Sequence, residues 1–254
     1  MGASHGHALH YHGHSPLHRL PAHPKIVALL GFVLAVVATP RTMLWPYAVH
    51  LLALLAAVRV SRVPFPYLGR RLVVEVPFVV FALLMPFVAT GPRVAVGPLS
   101  VSQAGLWGAW ALLAKGTLGV LAALLLAATT EPRDVLAGFE RLGLPRPLVQ
   151  IAGFMIRYLE VVAGELSRMR IARASRGFQA SSVRAWPALG ATLGALFVRS
   201  YERGERVHLA MLSRGYRGRL PALHPLTATP AQWAVSGILP LVAVGACLAG
   251  VVAA

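Results

Sequence analysis

Cysteine is nearly absent from these 254 residues: Cys247 stands alone, inside the last apolar run. That excludes a disulfide framework and any thiolate metal cluster. Charge is scarce too, at 13% of residues, against about 25% in an ordinary soluble domain. Negative charge is scarcest, with 8 Asp and Glu against 24 Lys and Arg. No Gly-x-x-x-x-Gly-Lys-Ser/Thr phosphate loop occurs, so the chain does not hydrolyse ATP itself. Neither His-Glu-x-x-His, Gly-x-Ser-x-Gly nor a paired-carboxylate arrangement is present. No residue is therefore assigned a catalytic role, and no cofactor is expected on the chain itself. What the sequence has in plenty is hydrocarbon: 57% of its residues are hydrophobic and the mean hydropathy is positive. It reads as an all-α polytopic membrane protein. A nucleic-acid partner, which the basic excess could suggest, is not expected, because such a protein would not need five long apolar segments.

Those segments are Lys25 to Thr39, Met43 to Val58, Leu72 to Thr90, Leu106 to Thr130 and Ala231 to Ala254, against about 20 apolar residues for a membrane helix. The first two are short and joined by Pro40-Arg41-Thr42, which reads as one tight membrane hairpin. Gly91 to Gln103 reads as a loop carrying Gly and Pro. The domain plan is a His-rich cytoplasmic tail (1–24), N-terminal membrane helices (25–130), a cytoplasmic region (131–230) and a last membrane helix (231–254). Five spans put the N-terminus and the 131–230 insert on one side. That side holds all the Lys and Arg except Arg41, Arg93 and the intramembrane Lys115. A bias of this size makes it the cytoplasmic side of the cell inner (plasma) membrane. The first apolar run lacks a small-residue cleavage pattern, so no secretory signal is read.

Within the insert the spacing becomes that of helix surfaces. Met155, Leu159, Val162, Leu166 and Met169 recur at steps of four and three; Phe197, Tyr201, Val207 and Met211 form a looser stripe. Shorter helices are expected over Pro132 to Leu142 and Trp186 to Val198, with a break at Leu142 to Pro147. Each long stretch ends on the same phrase. Ser175-Arg176-Gly177-Phe178 returns 38 residues later as Ser213-Arg214-Gly215-Tyr216. A glycine just past a helix end accepts the left-handed conformation, and a cation in the last turn complements the helix dipole by about 0.3–1 kcal/mol. One copy would need no more than that. Capping, however, requires neither the repeated serine nor the repeated aromatic. A docking tip uses all four positions, with Phe178 and Tyr216 as anchors and arginine as a favoured interface residue.

Carried by these residues, the sequence resembles the transmembrane T component of energy-coupling factor (ECF) transporters. That family has membrane helices followed by long cytoplasmic coupling helices, each ending in a short Ala-Arg-Gly motif. Ser175-Arg176-Gly177 and Ser213-Arg214-Gly215 match the motifs with serine in place of alanine. Glu205 to Tyr216, and Leu17-His18-Arg19-Leu20-Pro21-Ala22-His23-Pro24-Lys25, look like the cobalt-type, CbiQ-like branch. The resemblance implies a non-catalytic scaffold in the lipid bilayer, with two ATP-binding cassette ATPase subunits as partners. These bind the ATP, and their grooves receive Arg176 and Arg214. It further implies a separate membrane substrate-binding subunit, moved by the coupling helices, and cobalt ion as substrate.

Other constellations are weaker. Seven histidines precede Lys25 (His5, His7, His10, His12, His14, His18 and His23). A His-rich tract can bind transition metals, but this one lacks carboxylate and thiol partners and reads as a disordered tail; no metal site is assigned. Glu75 reads as a surface ion pair with Arg71, four residues before it, and Lys115 as snorkelling or reaching a carbonyl in a partner subunit. His50 is read as facing a neighbouring helix. Gly105, Gly108, Gly116, Gly119, Gly237, Gly245 and Gly250 allow close helix approach. Three rivals stand beside the scaffold reading. The same scaffold could serve nickel or a vitamin. An autonomous secondary transporter leaves the duplicated arginine tips unexplained, and a membrane enzyme lacks a catalytic cluster.

Overall fold

A computed structural model describes residues 11, 13, 15–96, 99–178, 185–218 and 227–253 of the chain. Ten α-helices account for most of them: α1 Pro16–Arg19, α2 Ala22–Ala38, α3 Trp45–Ser61, α4 Phe65–Gly69, α5 Val76–Val88, α6 Gln103–Thr129, α7 Pro132–Arg141, α8 Arg146–Ala174, α9 Trp186–Ser213 and α10 Pro230–Val252. A 3-10 turn, Leu72–Glu75, leads into α5. The chain divides into two compact units, Gly143–Pro225 and Leu9–Leu142 with Leu226–Ala254.

The larger unit is the membrane bundle. Its core gathers Phe32 and Val36 of α2, Leu54 and Val58 of α3, Leu118 and Leu125 of α6, and Ala243 of α10. The last helix packs chiefly against the first two long ones, so α10 stands beside both α2 and α3. The tight α2–α3 hairpin expected from the sequence is therefore opened. Direct ties between the pair are local: Tyr47 Oη donates to the Thr39 carbonyl at 3.1 Å, and the Phe32 and His50 rings meet edge-on at 6.0 Å. Thr229 starts α10 with a capping box, accepting from the Gln232 amide while the Gln232 side chain accepts from its own. By length and composition, the runs Phe65–Val88, α6, α8 and α10 could each cross a membrane; α2 and α3 are apolar but shorter, at 17 residues each. α5 shows a nearly unbroken exposed apolar face, with Phe78, Phe81, Leu84 and Phe87 among its residues. Water would penalise that surface, whereas lipid accommodates it.

Two segments differ from the sequence reading. The expected loop at Gly91 to Gln103 contains an antiparallel strand pair, β1 Arg93–Val96 and β2 Leu99–Ser102, with Arg93 opposite Ser102. A run of Val and Ser around Gly97-Pro98 alternates well enough to pair, and Ser102 then caps α6 by accepting from the Gly105 amide. Within the expected tail, Tyr11 and the residues from Ser15 onward are tied to the bundle. Tyr11 donates its amide to the Ala128 carbonyl at 3.0 Å, Ser15 is fully buried as the cap of α1, and α2 begins at Ala22. His5, His7, His10, His12 and His14 lie outside the described residues. α7 packs on α2, with Gly138 against Ala22 and Ile26, so the break between units falls at Gly143 rather than at the composition change near Glu131.

Helices α5 and α6 approach closely at Gly105. A Cβ on Gly105 would lie 2.6 Å from the Met85 carbonyl oxygen and 2.8 Å from Pro86 Cα. Both neighbours are backbone atoms and cannot swing aside. Gly105→Ala is expected to destabilise the bundle by about 1–3 kcal/mol, lowering the melting temperature in detergent. An unchanged melting curve would contradict that packing. Gly250 similarly faces Pro46, whereas Gly119 and Gly245 meet nothing within 4 Å.

Candidate functional site

The smaller unit carries the two arginine tips, and they are built alike. At the end of α8 the Gly177 amide donates to the Ala174 carbonyl and the Phe178 amide to the Arg173 carbonyl, at 3.0 and 3.2 Å. At the end of α9 the Gly215 amide donates to Leu212 and the Tyr216 amide to Met211, both at 3.0 Å. This pair of bonds, three and five residues back, is the Schellman closure. It needs a left-handed residue at the glycine, and Gly177 and Gly215 have φ of 75° and 81°. Arg176 and Arg214 thus occupy the same capping position. The serines repeat as well: Ser175 Oγ donates to the Ala172 carbonyl and Ser213 Oγ to Ala210, each at 3.0 Å. Serine in place of alanine therefore satisfies one more terminal carbonyl. All six Ser-Arg-Gly residues are exposed.

The aromatics do something the sequence did not suggest. Phe178 is half-buried beneath the Arg173 guanidinium, 5.3 Å from its ring centroid. Tyr216 is half-buried and donates its hydroxyl to Gln150 Oε1 of α8 at 2.7 Å; Gln150 Nε2 in turn donates to the Gly218 carbonyl at 3.1 Å. Both rings are engaged by their own chain, which turns them into braces behind the arginines.

Sequence reasoning missed the contact that ties α8 to α9. Glu165 is buried, and its two oxygens separately receive Arg199 Nη1 at 3.2 Å and Arg203 Nη2 at 3.0 Å. The two arginines are one turn apart, Arg203 half-buried and Arg199 exposed, so one carboxylate holds a fork of cations. The signal was present: Glu165 interrupts the apolar stripe between Val162 and Leu166, and Arg199 and Arg203 share the i,i+4 spacing. Much of the stripe beyond the fork is uncovered, including Met155, Leu159, Phe197 and Tyr201.

Ionisable groups in the membrane unit are tied internally. Glu75 is not the surface partner of Arg71: it is buried and accepts from Thr117 Oγ1 at 2.6 Å, while Arg71 lies over the Tyr67 ring. Lys115 Nζ reaches the Val37 carbonyl of the same chain at 2.7 Å rather than a partner's carbonyl. His50 is fully buried with Nε2 against the Ala243 carbonyl at 3.1 Å, so it does face a neighbouring helix. Lys25 donates to the Thr129 carbonyl and to Thr130 Oγ1. Among the described residues no cluster of three or more His, Cys, Asp or Glu could hold a metal ion.

Compared with known families, residues 13–224 match the model of CbiQ, described as cobalt transport protein. The chain belongs to that family. It is a transmembrane T component of the ECF type, the non-catalytic membrane part of a transporter. The T component is 28% identical to the energy-coupling factor transporter transmembrane protein EcfT of Listeria innocua, over 81% of this chain and 82% of that one. It is 28% identical to EcfT of Heliobacterium modesticaldum over 87% and 88% of the two chains. The cobalt transport protein CbiQ of Rhodobacter capsulatus is 27% identical, over 81% of this chain and 85% of that one.

Proposed function

We propose that the T component couples ATP hydrolysis in two partner ATPase subunits to uptake of cobalt ion, through Arg176 and Arg214. The observation that carries this reading is the identical construction of the two tips. Each presents an exposed, permanent cation from a helix end closed by the same hydrogen bonds. One such end is a cap; two, on helices joined by the Glu165 fork, suit a pair of equivalent sockets. The tips, the N-terminus and the connecting charged segments lie on the cytoplasmic side, in keeping with the basic bias of the sequence. The uncovered apolar residues of α8 and α9, Met155, Leu159, Phe197 and Tyr201 among them, offer a face to a membrane substrate-binding subunit. Cobalt is favoured by the family model and by the Rhodobacter relative's name.

The test is to purify the tagged chain from membranes of its host and reconstitute what accompanies it into liposomes. ATP-binding subunits and a small membrane protein are expected to co-purify, and the vesicles to accumulate radioactive cobalt only with ATP. A chain that purifies alone and still moves solute would overturn the scaffold reading. ATP-driven uptake of nickel or a vitamin in place of cobalt would overturn the substrate alone.

A further inference from the structure

The membrane unit contains a feature that the coupling role does not use: a cavity of about 580 Å³ among α1, α2, α3, α6 and α10. Its wall is almost wholly aliphatic, with Leu17 and Leu20 at one end and Ala53 and Ala57 along α3. It gathers the starts of α2 and α10 and the ends of α3 and α6, which share one membrane boundary. Along α3 the wall runs from Val60 to Val49, a rise of about 16 Å. That is close to half of a hydrocarbon core about 30 Å thick, so the cavity is one leaflet deep. A space so lined does not hold water.

Its boundary end is polar in a particular way. Ser236 is only 8% exposed, lines the cavity, and its hydroxyl has no hydrogen-bond partner. One turn on, Pro240 has no N–H to give to the Ser236 carbonyl. The His23 and Trp233 rings meet at 5.6 Å and bring the start of α2 against the start of α10. Lys25, near the start of α2, lines the cavity, and its two hydrogen bonds engage Thr129 and Thr130, leaving one ammonium proton. A long apolar slot with a hydroxyl and a cation at its membrane-boundary end matches a phospholipid in both length and charge. We infer that the cavity holds one acyl chain of a membrane phospholipid. The ester oxygens sit at Ser236 and the phosphate lies toward Lys25.

Native mass spectrometry of the full chain in detergent, titrated with dioleoyl phosphatidylglycerol, tests this. One adduct per chain is expected to survive activation that strips looser lipid. Ala57→Phe, which fills the slot, is expected to lower its occupancy about tenfold. Ser236→Ala adds no bulk and is expected to lower it about threefold, which keeps the test open if the phenylalanine variant does not fold. The absence of a persistent adduct in the unsubstituted chain, or unchanged occupancy in the folded variants, overturns the inference. A cross-linker at Leu52, on the rim of the slot, that captures the substrate-binding subunit in lipid membranes would overturn it too, since the groove would then belong to a protein.

Discussion

Replacing both Arg176 and Arg214 with alanine is expected to abolish association with the ATPase subunits and leave the chain folded. The two effects separate because they rest on different atoms. The helix ends are closed by backbone amides of Gly177, Phe178, Gly215 and Tyr216, and none of those bonds involves the arginine side chains. Loss of each cation from a helix end costs about 0.3–1 kcal/mol. Truncating a desolvated arginine facing a carboxylate costs about 2–5 kcal/mol. Since 1.4 kcal/mol is about tenfold in affinity, the double substitution should remove several orders of magnitude. Arg176→Lys with Arg214→Lys keeps the charge and loses the planar fork, so it should fall between. Co-purification read beside circular dichroism decides the matter. Normal assembly of the alanine variant would mean that the tips are caps and nothing more.

Glu165→Ala is expected to loosen α8 from α9 and to uncouple transport without preventing ATPase binding. The carboxylate is buried, and its removal leaves Arg199 and Arg203 facing one another unpaired. Exposed ion pairs contribute under about 1 kcal/mol, and broken buried pairs cost about 3–5 kcal/mol. With Arg203 partly and Arg199 largely in solvent, the cost here should be about 1–3 kcal/mol. Removing both arginines as well should cost less than the single effects added together, because all three act as one group. Spin labels at the exposed Ile171 and Leu209 would read the change as a broadened distance distribution. The ATPase subunits should still co-purify while cobalt uptake falls. An unchanged distribution with normal uptake would remove Glu165 from the mechanism.

Helix existence was legible in the sequence wherever periodicity was strong. The break at Leu142 to Pro147 and the start of α7 at Pro132 follow from Pro and Gly chemistry. The continuity of α9 was not legible. The sequence predicts a short helix over Trp186 to Val198 and a looser helical stripe from Phe197 to Met211, yet one helix runs from Trp186 to Ser213. Periodicity reports which face is covered, and much of this helix is uncovered. The sites split the same way. The arginine tips announced themselves by repetition, whereas the brace from Tyr216 to Gln150 spans 66 residues and leaves no local mark. Helix partners were equally hidden: nothing near α2 or α3 says that α10, some 190 residues on, will pack beside both. The placement of Tyr11 depends likewise on a distant carbonyl, that of Ala128.

The position of the Glu165 fork has a mechanical consequence. Arg176 lies 11 residues beyond Glu165, while Arg214 lies 11 residues beyond Arg203 and 15 beyond Arg199, which makes the α8 arm about 16 Å long and the α9 arm about 16–23 Å. The two helices are callipers pinned at a similar distance from both points. In the proposed coupling, a push at either tip would turn arms of similar length, so neither ATPase subunit would gain much leverage over the other. Helices closed by backbone bonds up to their last residue also leave little slack between socket and pin. Arms of similar length with little backlash would let two ATPase subunits share one load under the proposed coupling.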